Sequence, residues 1–409
     1  MKATVPQQIG KPIPRAFNFV WIPSRWIEYA YYFTFSYSVI ASYLDVEVPL
    51  LAAGITIALA TYCAFKMSSR SLKVLTPIGF LIATAISMIL VQIVVHDVSL
   101  MDGENRAFIL WICGLIIVQS LGLRAGFLRR CTIILFGLGL IAVPHLGSMM
   151  ASVERAGAMI EIGGGLRNPN GLAVWFGFCL VSFAIWGIET QRAIARIIYW
   201  LAATGCLFIV GLTVSRGTLF GAALALTVAF RLVLKRGFLP VLLLVIGTGV
   251  FFSTGLFDQV ISKYAERGME DTGREHLWPE AMERISASPM FGVGPAVGPH
   301  NSFLYFALSS GVLPLALWIA FWITAAWRSF WDARQSEYSP FRIPFLLYGL
   351  VTFMVSDVST EVWALLILTV AAGSRVSYFP GQFLMAYRAR SSRIAQPLRV
   401  SSKAETIQR

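Results

Sequence analysis

Long apolar runs separated by short polar segments alternate along almost the whole of this chain. An α-helix needs about 20 mainly apolar residues to cross a bilayer, and most of the runs come close to that length. The pattern therefore predicts an all-α membrane protein with about twelve transmembrane helices. They are placed near residues 27–44, 48–65, 74–95, 107–123, 131–148, 169–187, 195–213, 217–234, 239–256, 301–326, 343–356 and 358–372.

The predicted helices form one transmembrane domain, residues 27–372, between polar ends at 1–26 and 373–409. The longest polar segment between helices is 257–300, which comes directly before the tenth predicted helix. No internal repeat and no separate soluble domain is evident in the pattern, so a single helical bundle with one large loop is expected.

The large loop contains two segments with helical patterning. Asp258–Arg267 is typical of a short helix. Thr272 and Glu275 have the spacing of a capping box, which marks the start of a helix, although Pro279 would kink that helix or delay its start. One face of this second helix would be apolar, so we expect it to lie on the membrane surface or to cap the bundle. That face is formed by Leu277, Trp278, Ala281, Met282 and Ile285.

Composition excludes an ordinary soluble protein. Charged residues make up 13% of the chain, against roughly 25% in a soluble domain, while 57% of residues are hydrophobic and the mean hydropathy is +0.70. The net charge of +12 lies in short clusters between apolar runs and not in an aromatic-interleaved patch, so nucleic-acid binding is not expected. The five cysteines fall in or beside apolar runs without metal-ligand spacing.

The distribution of basic residues predicts the orientation, because cytoplasmic loops of membrane proteins are rich in lysine and arginine. If the N-terminus is cytoplasmic, 25 of the 33 basic residues fall in inside segments and 16 of the 21 acidic residues fall in outside ones. A miscounted helix would scramble this alternation. The sequence therefore predicts a bacterial inner-membrane protein with both termini in the cytoplasm and the 257–300 loop in the periplasm.

Among the eight basic residues on the predicted outside, two arginines stand in distinctive positions. Arg216 opens a predicted helix in the tight junction Ser215-Arg216-Gly217-Thr218. A plain alternative is an interfacial arginine that reaches to lipid phosphate. Arg274 lies in the large loop, where the alternative is a solvated charge paired with Glu275 or Glu270.

His300 follows a stretch rich in glycine and proline and comes directly before an apolar helix. Asn301 or Ser302 would make a good N-cap for that helix. The histidine would then lie at the positive end of a helix, where backbone N–H groups favour an anion. The alternative is a histidine that merely caps or packs.

Together these residues suggest a chemistry. Arginine binds phosphate bidentately and stays charged, and a neutral imidazole can accept a proton from a hydroxyl. Arg216, Arg274 and His300 on one face would therefore suit the attack of a hydroxyl on a carbon whose leaving group is a pyrophosphate.

A series of short motifs runs through the second half of the chain. They are Asn168-Pro169-Asn170-Gly171, Ser215-Arg216-Gly217-Thr218, Arg274-x-x-x-Trp278, Pro289-x-x-Gly292-x-Gly294, His300-Asn301-Ser302-Phe303-Leu304 and Ser310-Gly311-Val312-Leu313-Pro314. In this order, and with one large loop before the tenth helix, they resemble the O-antigen ligase/polymerase superfamily.

The resemblance implies a glycosyltransferase of the GT-C type that needs no metal and no other cofactor. Such an enzyme moves a glycan from an undecaprenyl-pyrophosphate carrier to an acceptor, either another glycan or the lipid A core. By position, Arg216, Arg274 and Asn301 would bind the pyrophosphate, and His300 would be the base. Whether the protein acts as a ligase or as a polymerase, and on O-antigen or on exopolysaccharide, is left open.

Two other functions are compatible with the pattern. Asp45 and Glu47 in the first outside loop could serve a metal-dependent GT-C transferase, or simply make that loop negative. A transporter or flippase is the other alternative, but transporters place ionisable residues and broken helices near the bilayer midplane. The polar candidates within the predicted helices, Gln92 and Gln119, lie near helix ends.

Overall fold

The computed structural model describes most of the helical bundle. The described residues are 23–43, 50–66, 76–122, 126–141, 160–162, 165–167, 169–213, 215–233, 262, 274–295, 299–335, 341–356 and 362–372.

Within these ranges the chain forms thirteen numbered helices and two short strands. They are α1 (Arg25–Tyr43), α2 (Leu50–Lys66), α3 (Thr76–Val94), α4 (Gly103–Leu121), α5 (Phe127–Leu140), β1 (Ile160–Ile162), β2 (Gly165–Arg167), α6 (Pro169–Glu189), α7 (Ala193–Leu212), α8 (Arg216–Val233), α9 (Arg274–Ala287), α10 (Ser302–Ser310), α11 (Val312–Gln335), α12 (Arg342–Val355) and α13 (Val362–Ala371).

Ten of the twelve predicted helices each coincide with one observed helix, within a few residues at most ends, and the one predicted at 301–326 is divided into α10 and α11. The predicted helix at 239–256 lies outside the described residues, as do Asp45, Glu47 and all of Asp258–Arg267 except Ser262. Among the described residues, five helices are long and apolar enough to cross a membrane, and three shorter ones are also apolar. The protein is therefore a helical membrane protein, while the count of twelve crossings stays a prediction.

The strands β1 and β2 were not expected from the sequence. They pair antiparallel, with Ile160 opposite Arg167 and Ile162 opposite Gly165. Gly163-Gly164 stands between them in the sequence, a dipeptide that two-residue hairpin turns favour. The hairpin falls in the predicted outside loop before α6, and its pattern is too short to stand out among polar loop residues.

Helix α6 is the centre of the bundle. Its sequence is apolar on every side, and 94% of the span Asn170–Glu189 is buried, as expected for a helix without a polar face. Pro169 occupies the first helical position, where a missing N–H costs nothing. The Tyr348 hydroxyl of α12 donates a hydrogen bond to the Val174 carbonyl (2.7 Å), which ties α12 to this centre.

Glycines allow α6, α8 and α12 to approach closely. A Cβ on Gly177 of α6 would lie 2.2 Å from the Tyr348 hydroxyl oxygen, and one on Gly217 of α8 would lie 2.6 Å from a methyl of Val355. Small residues at helix contacts are typical of membrane bundles, because lipid tails give apolar side chains little reason to prefer protein over lipid. The beginning of α8 is therefore held against the end of α12.

A buried ion pair joins α1 and α5 at the opposite end of the bundle. The Glu28 carboxylate is only 2% exposed, and its Oε1 atom accepts hydrogen bonds from Arg130 Nε (2.6 Å) and from the Tyr32 hydroxyl (2.5 Å). The Arg130 side chain is 39% exposed and lies 2.5 Å from the same oxygen through Nη2. The pair is thus open to solvent on the arginine side alone.

Replacing Arg130 with alanine should destabilise the bundle more than removing both charges. Arg130→Ala leaves a buried carboxylate without its partner, and we expect the free energy of unfolding to fall by about 2–3 kcal/mol. This is less than for a fully buried ion pair, because the arginine is partly solvated. The double variant Glu28→Leu/Arg130→Ala should recover part of that loss. Thermal unfolding of both proteins in detergent tests this, and an Arg130→Ala midpoint equal to wild type would refute it.

Candidate functional site

The N-terminus of α10 carries the predicted histidine and its cap. Asn301 is the N-cap residue, with its Oδ1 atom accepting from the backbone N–H groups of Phe303 (2.9 Å) and Leu304 (3.3 Å), which confirms the predicted cap. His300 precedes it, is exposed, and has a φ of +55°. A left-handed backbone costs a non-glycine residue about 1–2 kcal/mol. Such strain persists where the surroundings fix it, commonly at functional sites.

The helix predicted at 301–326 is instead a hairpin of two helices, α10 and α11. The chain turns at Gly311, which has a φ of +83°. The ring of Trp318 on α11 lies 6.1 Å from that of Phe303 and 5.0 Å from that of Phe306, so α10 folds back beside α11.

Backbone hydrogen bonds join the segment before His300 to the turn at Gly311. Val293 N–H donates to the Leu308 carbonyl (2.7 Å), and Val312 N–H donates to the Pro289 carbonyl (3.0 Å). Gly292 has a φ of +69°, and a Cβ there would lie 2.4 Å from the Leu308 carbonyl oxygen. Gly292 of the Pro289–Gly294 motif thus permits a backbone contact that a residue with a side chain would not allow.

A hydrogen bond from Trp278 joins helix α9 to the segment that carries His300. The helix begins at Arg274, five residues before Pro279, so the proline does not delay its start. The Trp278 indole N–H donates to the carbonyl of Pro299, the residue before His300 (3.0 Å). Four residues of helix rise about 6 Å, which places the backbone of Arg274 one turn from this contact. The Arg274 side chain lies outside the described part of the chain.

Arg216 is exposed at the first position of α8. The Ser215 hydroxyl donates to the Thr218 hydroxyl (3.1 Å), and both side chains are buried, so the Ser-Arg-Gly-Thr motif forms a fixed helix start. Gly217 follows directly and lies against Val355. The motif thereby fixes the backbone from which the arginine projects.

The starts of α8 and α10 meet at the end of α12. The Ser302 hydroxyl donates to the carbonyl of Ser356 (2.8 Å), the neighbour in sequence of Val355. Because Gly217 contacts Val355, the backbones of Arg216 and His300 lie on the same end of the bundle. Trp278 brings the start of α9 to that end as well. The structure thus gathers the segments that carry all three predicted residues.

Further polar residues at this end were missed in the sequence. The Tyr305 hydroxyl donates to the Glu104 carboxylate and so ties α10 to the first turn of α4. His96, which follows α3, has its Nε2 atom 2.9 Å from the Phe291 carbonyl oxygen, where the ring N–H is the donor. Neither contact joins residues that are near in sequence, so no local pattern could have indicated them.

In the parts of the chain covered by the structure, no group of three or more His, Cys, Asp or Glu side chains lies close enough to hold a metal ion. The free cysteines Cys63, Cys131, Cys179 and Cys206 are buried, and Cys113 is half-buried.

Comparison with known families identifies this region of the chain. Residues 200–319 match the sequence model of the O-antigen ligase family. A search of curated proteins gave no match. The matched stretch runs from α7 into α11 and includes Arg216, Arg274 and His300. The resemblance predicted from the sequence is thereby confirmed: the part of the chain that builds this end of the bundle is similar to the O-antigen ligase family.

Proposed function

We propose that this protein is a glycosyltransferase of the bacterial inner membrane that transfers a glycan from an undecaprenyl-pyrophosphate carrier to an acceptor hydroxyl at the periplasmic face. The observation that carries the proposal is the convergence of the starts of α8, α9 and α10, since each start bears one of the residues that the chemistry requires. The family match over residues 200–319 supports the same reaction class.

In the proposed reaction, Arg216 and Arg274 bind the pyrophosphate of the donor. A guanidinium group donates two parallel hydrogen bonds to phosphate oxygens and keeps its charge while the leaving group gains negative charge. The Nδ2 group of Asn301, which the helix cap does not use, is a further donor toward these oxygens. The dipole of α10 contributes in the same direction.

His300 is the proposed base. The acceptor hydroxyl oxygen attacks the anomeric carbon of the donor glycan and forms the new glycosidic bond. The bond between that carbon and the phosphate oxygen breaks, undecaprenyl pyrophosphate leaves with the electron pair, and the hydroxyl proton goes to the imidazole. The contribution of such proton transfer is about 10²–10⁴-fold in rate.

The orientation and the acceptor complete the proposal. The basic-residue distribution favours a periplasmic site, with Glu28 and Arg130 at the cytoplasmic end. The acceptor is a second glycan for a polymerase or the lipid A core for a ligase. In a deletion strain, loss of glycan attachment to lipid A would indicate a ligase, whereas short but attached chains would indicate a polymerase.

The purified protein in vesicles should release undecaprenyl pyrophosphate from a glycan-loaded donor only when an acceptor is present. We expect the rate to be unchanged by EDTA, because arginines and not a divalent cation stabilise the leaving group in the proposed site. Loss of activity with EDTA that Mg²⁺ or Mn²⁺ restores would favour Asp45 and Glu47 as metal ligands. Movement of an intact lipid-linked glycan between leaflets would favour a flippase.

A further inference from the structure

Six large apolar side chains lie exposed around the turn between α10 and α11. We call this group the apolar rim, and its members are between 44% and 77% exposed. The rim consists of Val94, Val95, Met290, Phe291, Val312 and Leu313.

Backbone contacts hold the rim together as one surface. A Cβ on Gly311 would lie 2.1 Å from the Met290 carbonyl oxygen and 2.6 Å from the Phe291 nitrogen, so these two residues sit directly on the turn that precedes Val312. The His96 ring binds the Phe291 carbonyl oxygen, which brings the end of α3 to the same place. The six side chains therefore form one continuous surface.

The rim continues into the outward-facing stripes of two membrane helices. On α3 the side chains below Val94 that stay exposed are Leu90 and Ile86, and on α11 those below Leu313 are Ile319, Ile323 and Trp327. Helices α3 and α11 pack against each other along their lengths. Both contain candidate membrane spans, Pro77–Val94 and Val312–Ser329. A stripe that faces lipid on these spans thus extends without a break onto the rim.

The charge pattern of the segment agrees with a lipid environment. Residues 285–327 contain no Asp, Glu, Lys or Arg over 43 positions. Directly before them, the outward face of α9 carries the exposed Glu280, Glu283 and Arg284. A loop in water would be expected to carry charges as α9 does. The change from charged to uncharged surface therefore marks the boundary between water and lipid.

We infer that the apolar rim is inserted into the lipid interface at this end of the bundle, with Met290 and Phe291 among the acyl chains. Irregular backbone is tolerated at this depth only if its polar groups are satisfied internally. Three of these groups, Val293 N–H, Val312 N–H and the Phe291 carbonyl, are satisfied by hydrogen bonds within the protein. The occupant of the rim is thus the bilayer and not a partner protein, and the segment leading to His300 is anchored by lipid.

Fluorescence quenching in vesicles of phosphatidylethanolamine and phosphatidylglycerol tests this inference. Met290→Cys and Val312→Cys, each in the full-length protein without its native cysteines, are labelled with a polarity-sensitive fluorophore. Interfacial helices bury their apolar face about 5–10 Å deep, so we expect blue-shifted emission and quenching by lipids carrying a nitroxide near the headgroup. Aqueous iodide should quench these positions several-fold less than a water-exposed site.

Two matched positions calibrate the result. Glu283→Cys on the charged face of α9 should be quenched by iodide and not by nitroxide lipid. Ile323→Cys lies about 15 Å further along α11 than Leu313, so it should be quenched by a nitroxide deep in the acyl chain and not by iodide. Iodide quenching of positions 290 and 312 equal to that of 283 would overturn the inference. Shielding of both positions from iodide and from nitroxide lipid would also overturn it, since protein would then cover the rim.

Discussion

Replacement of either Arg216 or His300 with alanine is expected to abolish glycan transfer while leaving the bundle intact. Both side chains are exposed at helix starts whose backbone is fixed by other residues, so their loss should not disturb packing. Removing one charge-stabilising donor typically costs about 10²–10³ in turnover, and removing a general base costs about 10²–10⁴. The measurement is the rate of undecaprenyl pyrophosphate release in vesicles.

The two variants should fail in different ways. Arg216→Ala should weaken donor binding as well as turnover, and Arg216→Lys should restore only part of it because lysine lacks the planar fork that matches phosphate. His300→Ala should lower turnover with little change in donor affinity. Arg129→Ala, an exposed arginine on α5 at the other end, is the matched control and should retain wild-type rates. Wild-type transfer by either test variant would remove that residue from the proposed mechanism.

Gly311→Ala is expected to cause the largest loss of stability among single-methyl changes. The residue has a φ of +83°, and the added Cβ would lie 2.1 Å from a backbone oxygen and 2.6 Å from a backbone nitrogen. Neither the Met290 oxygen nor the Phe291 nitrogen can move without breaking the hydrogen bond from Val312 N–H to the Pro289 carbonyl. Backbone strain and this clash together should lower the free energy of unfolding by about 3 kcal/mol or more. Thermal unfolding in detergent measures the effect.

A matched glycine separates this effect from a general sensitivity to alanine. Gly137 lies in α5, and a Cβ there would meet nothing within 4 Å. Gly137→Ala should leave stability unchanged or raise it by about 0.5–1 kcal/mol, because alanine is the better helix former. Equal unfolding midpoints for the two variants would show that the turn at Gly311 tolerates a side chain. The hairpin geometry would then be wrong.

The helices could be predicted from the sequence because the membrane imposes a simple rule on the chain. Every backbone polar group in lipid must be satisfied within the segment, so apolar runs become helices regardless of their neighbours. The cap at Asn301 was also predictable, since an Asn directly before an apolar helix accepts hydrogen bonds from the first N–H groups of that helix. These features depend on residues that are close together in the sequence.

The break at Gly311 was not predicted, although a local signal existed. Serine and glycine within an apolar run are compatible with a continuous membrane helix, so the pattern alone predicts one span at 301–326. Pro314 was the signal, because proline fits the first turn of a helix and disrupts its interior. A glycine three residues before a proline indicates that one helix ends and another begins.

The tertiary contacts of the site could not be predicted. Glu104 and Tyr305 are 201 residues apart, and His96 and Phe291 are 195 apart. Their pairing depends on how α3, α4 and α10 pack, which follows from the glycine contacts and aromatic shapes of the whole bundle. One sequence shows the residue types that suit the chemistry, whereas only the fold shows which of them meet.

The burial of almost the whole of α6 has a consequence for biosynthesis. Helices leave the translocon in order, yet α6 is covered in part by α8 and α12, and its Val174 carbonyl is bonded by Tyr348, which is made some 170 residues later. Until α12 is inserted, lipid must occupy the place of protein around α6. The nascent chain therefore passes through a loosely joined intermediate, and a ribosome that stops before residue 341 leaves a product whose central helix has no permanent neighbours on one side.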